Sequence, residues 1–250
     1  MATGAWVVLA IVLLIVIVLA LGLRPLKVPR QVSFEGIEDD AVVRAYDRIS
    51  RWPQFKALRW LVVQELKRHH PSGILVDAGC GPGYLIATIA RSLPHLSIIG
   101  VDISEEMAER AKQNLSSLGL ADKVIFRQGD IQALPFEDNS VDFLVSTLSL
   151  HHWSDPKRAL QEIHRVLEPD GQFLIFDIRR DSRYLFYWLI QFAQRFVIPS
   201  VMRKANEPTG SLLAGYTTAE LKAMLSETPF ARWQVKPGFG WAFAWGKKDN

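Results

Sequence analysis

The feature that most constrains the fold of this chain is an alternation between two kinds of segment from residue 74 to residue 178. Short runs rich in β-branched residues alternate with longer segments whose apolar residues recur every three or four positions. Strands and helices that alternate at this spacing form parallel sheets joined by crossover helices. The predicted strands are 74–77, 97–102, 123–128, 141–146 and 172–178, and the predicted helices are 84–92, 105–118 and 156–167.

A glycine-rich turn follows the first predicted strand and opens a helix. Asp77, Gly79, Gly81 and Gly83 stand at alternate positions in it. Ligands of parallel sheets bind beyond the carboxyl ends of the strands, and glycines let a ligand lie against bare main chain. Nicotinamide-cofactor proteins use the spacing Gly-x-Gly-x-x-Gly to hold a pyrophosphate. The spacing Gly-x-Gly-x-Gly favours a ligand without phosphate and disfavours a nicotinamide oxidoreductase.

Two further carboxylates end or follow predicted strands. Asp102 ends the second strand, where a carboxylate can accept two hydrogen bonds from a ribose diol. The alternative role for Asp102 is a helix N-cap, for which Ser104 is the better candidate. Asp130 follows the third strand and can accept the exocyclic amine of adenine, while neighbouring apolar residues sandwich the ring. Its alternative role is that of a turn-forming residue.

Together these segments resemble the ordered motifs of class I S-adenosylmethionine-dependent methyltransferases, closest to the branch with the ubiquinone and menaquinone biosynthesis C-methyltransferases. The residues that carry the resemblance are 76–83, 101–104, 129–130, 134–136, 141–143 and 165–171. The resemblance implies a Rossmann-like α/β fold with a seven-stranded, mostly parallel sheet whose last strand is antiparallel. The family's Pro-Gly-Gly turn appears here as Pro169-Asp170-Gly171.

The resemblance also implies S-adenosyl-L-methionine as the cofactor, with the glycines along its methionine moiety, Asp102 at the ribose and Asp130 with Ile131 at the adenine. The candidate cofactor-binding residues are Asp77, Gly79, Cys80, Gly81, Gly83, Asp102, Ile103, Asp130, Ile131 and Ser146. Cys80 is better explained as a small residue between two glycines than as a nucleophile. As the single cysteine it excludes an intrachain disulfide and a multi-cysteine metal site. No metal is expected.

Three residues are candidates for direct chemistry. His151 and His152 follow the fourth strand, where the acceptor should lie, and either could serve as a base for an acceptor that loses a proton. The alternative is that a histidine there only hydrogen-bonds the neighbouring loop. Tyr46 resembles a family tyrosine that closes over the cofactor, and the alternative is an ordinary packed aromatic.

The first 23 residues contain an unbroken apolar run from Ala5 to Leu23. As a helix this run would be about 28 Å long, close to the hydrocarbon thickness of a bilayer. A cleaved signal peptide is the alternative, but no cation precedes the run, and Arg24, Lys27 and Arg30 follow it. We therefore expect a single transmembrane anchor over residues 1–23, with the remaining chain on the cytoplasmic side.

Residues 24–36 are predicted to be a basic juxtamembrane linker, and residues 37–250 the methyltransferase domain. The three cations of the linker account for the whole net charge of +3. Because no basic excess is left for the domain as a whole, a nucleic-acid partner is not expected. The sequence carries no signal of an oligomeric state.

Residues 179–215 are predicted to be an insertion that covers the substrate. Within it, residues 179–204 hold six Lys or Arg against one acid, interleaved with aromatic residues. A cationic, aromatic-rich helix is typical of membrane-surface binding, and the alternative is a packed lid helix. The leading hypothesis is therefore a membrane-anchored methyltransferase for a small lipophilic acceptor, such as a quinone precursor, an isoprenoid or a lipid. The alternatives are a non-catalytic, membrane-anchored S-adenosylmethionine-binding scaffold and a protein or nucleic-acid methyltransferase.

Overall fold

A computed structural model describes residues 2–32 and 39–250, apart from the side chains of residues 2–5, 8–10, 14–15 and 19. The helices are α1 (Ala2–Gly22), α2 (Asp40–Ser50), α3 (Pro53–Arg68), α4 (Tyr84–Ser92), α5 (Glu105–Ser117), α6 (Pro156–Val166), α7 (Tyr184–Phe196), α8 (Ser200–Lys204), α9 (Thr209–Ala214) and α10 (Thr218–Ser226). The strands are β1 (Ile74–Ala78), β2 (Ser97–Asp102), β3 (Val124–Gln128), β4 (Val141–Thr147), β5 (Leu167–Ile178), β6 (Arg232–Pro237) and β7 (Trp241–Lys247).

The described strands form one seven-stranded sheet in the order β3-β2-β1-β4-β5-β7-β6. Strands β1 to β5 pair in parallel, and β7 lies antiparallel between β5 and β6. The predicted Rossmann-like sheet with an antiparallel last strand is therefore confirmed. Strand order reverses between β1 and β4, so the cleft for a ligand is expected beyond the carboxyl ends of these strands.

Two apolar cores hold helices on the two faces of the sheet. Side chains of α3, α4 and α5 pack on one face around Leu75 and Phe143. Side chains of α6 and α10 pack on the other face around Val76 and Leu144. Because neighbouring residues of a strand point to opposite faces, a strand covered on both sides is apolar along its whole length. This explains the uninterrupted apolar runs of the sequence.

Strand β5 begins at Leu167, five residues before the predicted start at Gln172. Leu167 pairs with Val141, and after a register irregularity Gln172 pairs with Phe143. Asp170, between the two pairs, adopts a positive φ of 66°. The Pro-Asp-Gly turn is therefore a local interruption within one strand, because β4 offers a partner on both sides of it.

The N-terminal part of the chain lies against the domain. Gly22, at the end of α1, is so close to α7 that an added Cβ atom would lie 3.1 Å from the Trp188 ring. Residues 24–32, called the strap below, continue along the domain, and the predicted domain start at residue 37 lies outside the described residues. In the part of the chain that the structure describes, no helix is long and apolar enough to cross a membrane. The transmembrane anchor stays a prediction.

Candidate functional site

The glycine turn after β1 has a backbone conformation that favours glycine. Gly79 and Gly83 have φ values of 76° and 78°, in the left-handed region that favours glycine. The backbone N–H groups of Gly79 and Cys80 both donate to the Val101 carbonyl, at 2.8 and 3.0 Å. The turn is therefore anchored on β2 and presents main chain without side chains to the cleft.

Asp102 at the end of β2 fixes the same turn from the other side. Its Oδ2 accepts the Gly81 N–H at 2.8 Å, and its Oδ1 accepts the Ser104 N–H at 3.0 Å. Burial raises the pKa of Asp102, and these hydrogen bonds act in the opposite direction. Ser104 takes the N-cap of α5 through a hydrogen bond from the Met107 N–H. Asp102 is thus free of the N-cap role and lines the cleft beside Ile103.

Asp77 has the least satisfied carboxylate near the turn. It is 1% exposed, and neither of its oxygens has a hydrogen-bond partner among the described residues. Burial, followed by repulsion from Asp102, raises the pKa of Asp77 to about 8. A buried polar group without a partner costs free energy, so its presence points to a ligand that supplies the missing donor.

Asp130 lies after β3 and combines both roles considered for it. Its Oδ1 accepts the backbone N–H of Gln132 at 2.8 Å, which closes a turn. The residue also lines the cleft together with Ile131 and, across from it, Ile103. The side-chain amide of Gln132 also donates to Oδ1 and Oδ2, at 3.3 and 3.4 Å. A carboxylate with these partners still has lone pairs for a ligand.

These residues surround two adjoining cavities at the carboxyl ends of the central strands. The larger, of about 140 Å³, reaches from the glycine turn to Asp102 and Asp130. The smaller, of about 60 Å³, reaches from the turn to Asp77 and Arg59. Both are lined by Tyr46, Gly79, Gly81, Thr147 and Leu148. A cavity of about 430 Å³ between α5, β3 and the start of α2 is lined by charges of both signs and by no residue of the turn.

Arg59 of α3 was not among the predicted site residues. Its Nη1 donates to the Ser50 carbonyl at 2.7 Å, and its guanidinium lies 5.3 Å from the Tyr84 ring centroid. No described carboxylate forms an ion pair with it, and desolvation lowers its pKa. No local signal distinguishes Arg59 from Lys56 on the same helix, because only the tertiary fold places Arg59 in the wall of the cavity that Asp77 also lines.

Tyr46 lies over the cleft because its neighbour Asp47 clamps α2 to the domain. Asp47 Oδ1 accepts the Tyr84 hydroxyl at 2.9 Å and the Asn114 amide at 2.8 Å. Its Oδ2 accepts from Arg51 at 2.8 Å. Burial raises the pKa of Tyr46 to about 12. The phenol therefore stays protonated, which suits a lining or donor role better than that of a base.

The two predicted catalytic histidines occupy different positions. His152 lines the larger cavity with Ser149 and Trp153, whereas His151 is 2% exposed and lies behind that wall. His151 Nδ1 lies 2.7 Å from Asp177 Oδ1, and its backbone N–H donates to Asp177 Oδ2 at 2.9 Å. Its Nε2 is buried without a partner among the described residues. Asp177, at the end of β5, was missed because no spacing in the sequence links it to His151.

Two other predicted contacts lie at the edge of the site. Ser146 is fully buried and its hydroxyl donates to the Ala78 carbonyl at 2.7 Å, so Thr147 and Leu148 line the cleft in its place. Burial raises the pKa of the Cys80 thiol well above its ordinary value, which makes this cysteine a poor nucleophile. Among the described residues, no group of three or more His, Cys, Asp or Glu side chains could hold a metal ion.

The chain is similar to known methyltransferases both in sequence and in fold. Residues 76–175 match a family model described as a methyltransferase domain. The chain is 35% identical over 106 residues to the biotin biosynthesis bifunctional protein BioHC of Teredinibacter turnerae, a match that covers 40% of this chain and 19% of that protein. It is 28% identical over 166 residues to the ubiquinone/menaquinone biosynthesis C-methyltransferase UbiE of Geotalea uraniireducens, covering 65% of this chain and 70% of that one.

The fold is similar to the crystal structure of a SAM-dependent methyltransferase from Aquifex aeolicus. The TM-score is 0.61 at 20% sequence identity, over 84% of this chain and 99% of that chain. This likeness concerns the fold. The chain spans only 19% of the length of the biotin biosynthesis protein, and 33% of the length of a 37.1 kDa protein in transposon TN4556 of Streptomyces fradiae, to which it is 36% identical over 118 residues.

Proposed function

We propose that this chain, a member of the class I S-adenosylmethionine-dependent methyltransferases, transfers a methyl group from that cofactor to a small lipophilic acceptor at a membrane surface. The observation that carries the proposal is one cleft in which the glycine turn meets Asp77, Asp102 and Asp130. The acceptor class is inferred from the exposed apolar side chains of α1 and α7.

The smaller cavity fits the methionine end of S-adenosylmethionine. Asp77 offers a buried carboxylate without a partner in the described part of the chain, which matches an α-ammonium group. Arg59 lines the same cavity and has guanidinium donors left for an α-carboxylate. Opposite charges placed this way would satisfy both groups of an amino acid, while the bare backbone of Gly79 and Gly81 leaves room for its chain.

The larger cavity fits the adenosine end. The carboxylate of Asp102 accepts the backbone N–H groups of Gly81 and Ser104, and Ile103 also donates to it. An ionised carboxylate has about four lone-pair sites, so Asp102 can still accept from the ribose. Asp130 would accept the adenine amine, with Ile103 and Ile131 against the ring. These roles explain why the two carboxylates follow neighbouring strands.

S-adenosylmethionine supplies a methyl group on a sulfonium whose leaving thioether is neutral. The protein therefore has mainly to align two reactants and exclude water. Tyr46 covers the junction of the two cavities, and His152 and Trp153 close the side of the larger one. We assign these three side chains to the wall between cofactor and acceptor.

An acceptor that loses a proton also needs a base, and His151 is the candidate. With Nδ1 hydrogen-bonded to Asp177, the lone pair of the neutral ring resides on Nε2, which has no partner among the described residues. Because His151 is buried, an acceptor would have to reach it by displacing the wall at His152. His151 is therefore the base only for an acceptor that inserts deeply.

The methyl-transfer proposal is tested by incubating purified protein and membranes with methyl-labelled S-adenosylmethionine. We expect label in the lipid extract, dependent on the enzyme, and little or none with Asp102→Ala at a cofactor concentration that saturates the wild type. Label in the protein or nucleic-acid fraction would instead indicate that class of acceptor. Cofactor binding without transfer to any fraction would indicate a scaffold and overturn the proposal.

Membrane attachment is supported by apolar side chains that face solvent on two adjacent helices. Phe192 and Phe196 of α7 are 60% and 71% exposed, and α1 exposes Trp6 and Ile11 among others. Contiguous exposed apolar surface of this kind marks membrane or protein interaction sites. Arg195, on the last turn of α7, adds a charge that anionic lipid attracts. We place the domain on the cytoplasmic side, as the flanking cations predict.

Liposome flotation tests this attachment. The wild type should float with vesicles containing anionic lipid, and Phe192→Ser with Phe196→Ser should weaken flotation. Ile125→Ser is the matched control, because Ile125 is 60% exposed on β3, outside these helices. Equal flotation of all variants would show that α7 does not contact the bilayer.

A further inference from the structure

The strap, residues 24–32, is bound to the segments that follow β4 and β5 and to the end of α9. The Leu26 N–H donates to the Ser182 carbonyl at 2.7 Å, and the Gln31 N–H donates to the Leu213 carbonyl at 3.0 Å. The Leu26 side chain is buried. A segment held by backbone hydrogen bonds at both ends and by a buried side chain is part of the folded unit.

Arg30 makes the most extensive contacts of the strap. Its Nε donates to the Ala214 carbonyl at 2.7 Å, and its Nη2 donates to the His151 carbonyl at 3.2 Å. The same guanidinium lies 4.2 Å from the ring centroid of Tyr216. One planar group therefore joins the loop after β4, the end of α9 and the segment leading into α10.

Arg180, which is buried just after β5 ends, binds the middle of the strap to the segment leading into α10. Its Nε donates to the Val28 carbonyl at 2.8 Å, and its Nη1 donates to the Gly215 carbonyl at 2.6 Å. Its Nη2 pairs with Glu220 of α10 at 2.7 Å. The strap and the chain from Ala214 to Glu220 are thus fixed relative to the sheet, which gives Arg30 a rigid base.

The contact between Arg30 and His151 bears on the cleft because His151 directly precedes two residues of the cavity wall. Asp177 fixes the ring and the N–H of His151 from the sheet side, and Arg30 fixes its carbonyl from the strap side. The next two residues, His152 and Trp153, line the larger cavity. None of the strap residues lines either cavity, so the effect of Arg30 reaches the site through the chain that it holds.

We propose that Arg30 is a positioning residue for His152 and Trp153, which belong to the wall between cofactor and acceptor. The strap that follows the N-terminal helix would then contribute to methyl transfer. This inference rests on the proposed methyltransferase function for its catalytic consequence. The cofactor contacts proposed above do not include Arg30, so its loss should weaken transfer to the acceptor and leave the affinity for S-adenosylmethionine nearly unchanged. A lysine offers neither the two-pronged planar geometry nor the stacking of a guanidinium.

The test uses the full chain and the variants Arg30→Ala and Arg30→Lys. Hydrogen exchange by mass spectrometry should show faster exchange of the amides in residues 150–153 and 212–216, by about tenfold or more for the alanine variant. For Arg30→Ala, the kcat/KM for transfer of label to the lipid extract should fall about tenfold, while the Kd for S-adenosylmethionine changes less than about twofold. In exchange and in transfer, Arg30→Lys should lie between the wild type and Arg30→Ala.

Lys27→Ala is the matched control, since Lys27 is an exposed cation of the same strap. Both substitutions remove one positive charge, so an effect of lipid attraction alone would be equal in the two variants. If Arg30→Ala behaves as Lys27→Ala does in exchange and in transfer, Arg30 has no positioning role. If the wild type transfers no label at all, the proposed function fails, whereas the exchange comparison still decides whether Arg30 orders the wall.

Discussion

Asp102 at the end of β2 accepts the backbone N–H of Gly81 at 2.8 Å, so the carboxylate proposed for the ribose also holds the turn proposed for the methionine moiety. The two parts of the proposed cofactor site therefore depend on the same carboxylate. Removing this carboxylate should damage both.

Asp102→Ala should weaken S-adenosylmethionine binding by about 100-fold or more, because it removes the hydrogen bonds to a ribose diol and releases the Gly81 N–H. Asp102→Asn keeps one acceptor oxygen and should lose less. Isothermal titration calorimetry measures both. An alanine variant that binds as tightly as the wild type would exclude Asp102 from the site.

Gly79→Ala should abolish cofactor binding, because an added Cβ would lie 2.6 Å from Ser149 Oγ in a residue whose φ is positive. Gly119→Ala is the control, with a φ of 69° but no atom within 4 Å of the added Cβ. Both should lose about 1–2 kcal/mol of stability from the left-handed conformation. Only the first should lose binding, as thermal shift with and without cofactor would show.

Arg59→Ala should reduce affinity for S-adenosylmethionine about 10- to 100-fold, the range for losing a charge-assisted hydrogen bond to a carboxylate. Arg59→Lys should retain part of the affinity. Lys56→Ala removes an exposed cation from the same helix and should change little. Titration with 5′-methylthioadenosine, which lacks the amino-acid end, should show no difference between Arg59→Ala and the wild type. A difference there would assign Arg59 to the adenosine end or to folding.

Asp77 should make the stability of the cofactor-free protein fall as the pH rises. Its pKa is raised from 3.8 to about 8, so between these values the folded protein holds a proton that the unfolded chain has released. Stability from this group is fully present below the lower pKa and is lost by up to about 1.4 kcal/mol per pH unit until the upper one is passed. Urea unfolding of wild type and Asp77→Asn at several pH values should show a slope in the wild type that the variant lacks.

The exposed Asp122 provides the control for that experiment, and Asp122→Asn should keep the wild-type slope. Cofactor affinity offers an independent check. An ammonium beside Asp77 lowers the pKa of the carboxyl, so wild-type affinity should rise between about pH 6 and pH 8 more steeply than that of Asp77→Asn. Parallel profiles for the two proteins would show that the cofactor does not face Asp77.

Most strands and the glycine turn were predictable because their signals are local. A strand covered on both faces must be apolar throughout, and a left-handed backbone favours glycine. The local sequence of residues 74–83 therefore indicates both the strand and the turn. The start of β5 at Leu167 was not predictable, since the Pro-Asp-Gly turn ends a strand in isolation. It continues here because β4 supplies hydrogen-bond partners on both sides.

The residues that support the site could be identified only from the tertiary structure. Asp177 and Arg30 hydrogen-bond to His151, and Arg59 lines the same cavity as Asp77. In each case the partners are far apart in the sequence. Nothing near them in sequence marks them, since isolated arginines and aspartates are common on surfaces.

The sequence by itself determined the sheet, the turn and the three carboxylates at the carboxyl ends of its strands, because backbone conformation and burial pattern act over a few residues. Only the folded chain decided which cation shares a cavity with Asp77, which acid orients His151 and that the strap binds the domain. Those relationships depend on packing between distant segments, and periodicity and spacing carry no information about them.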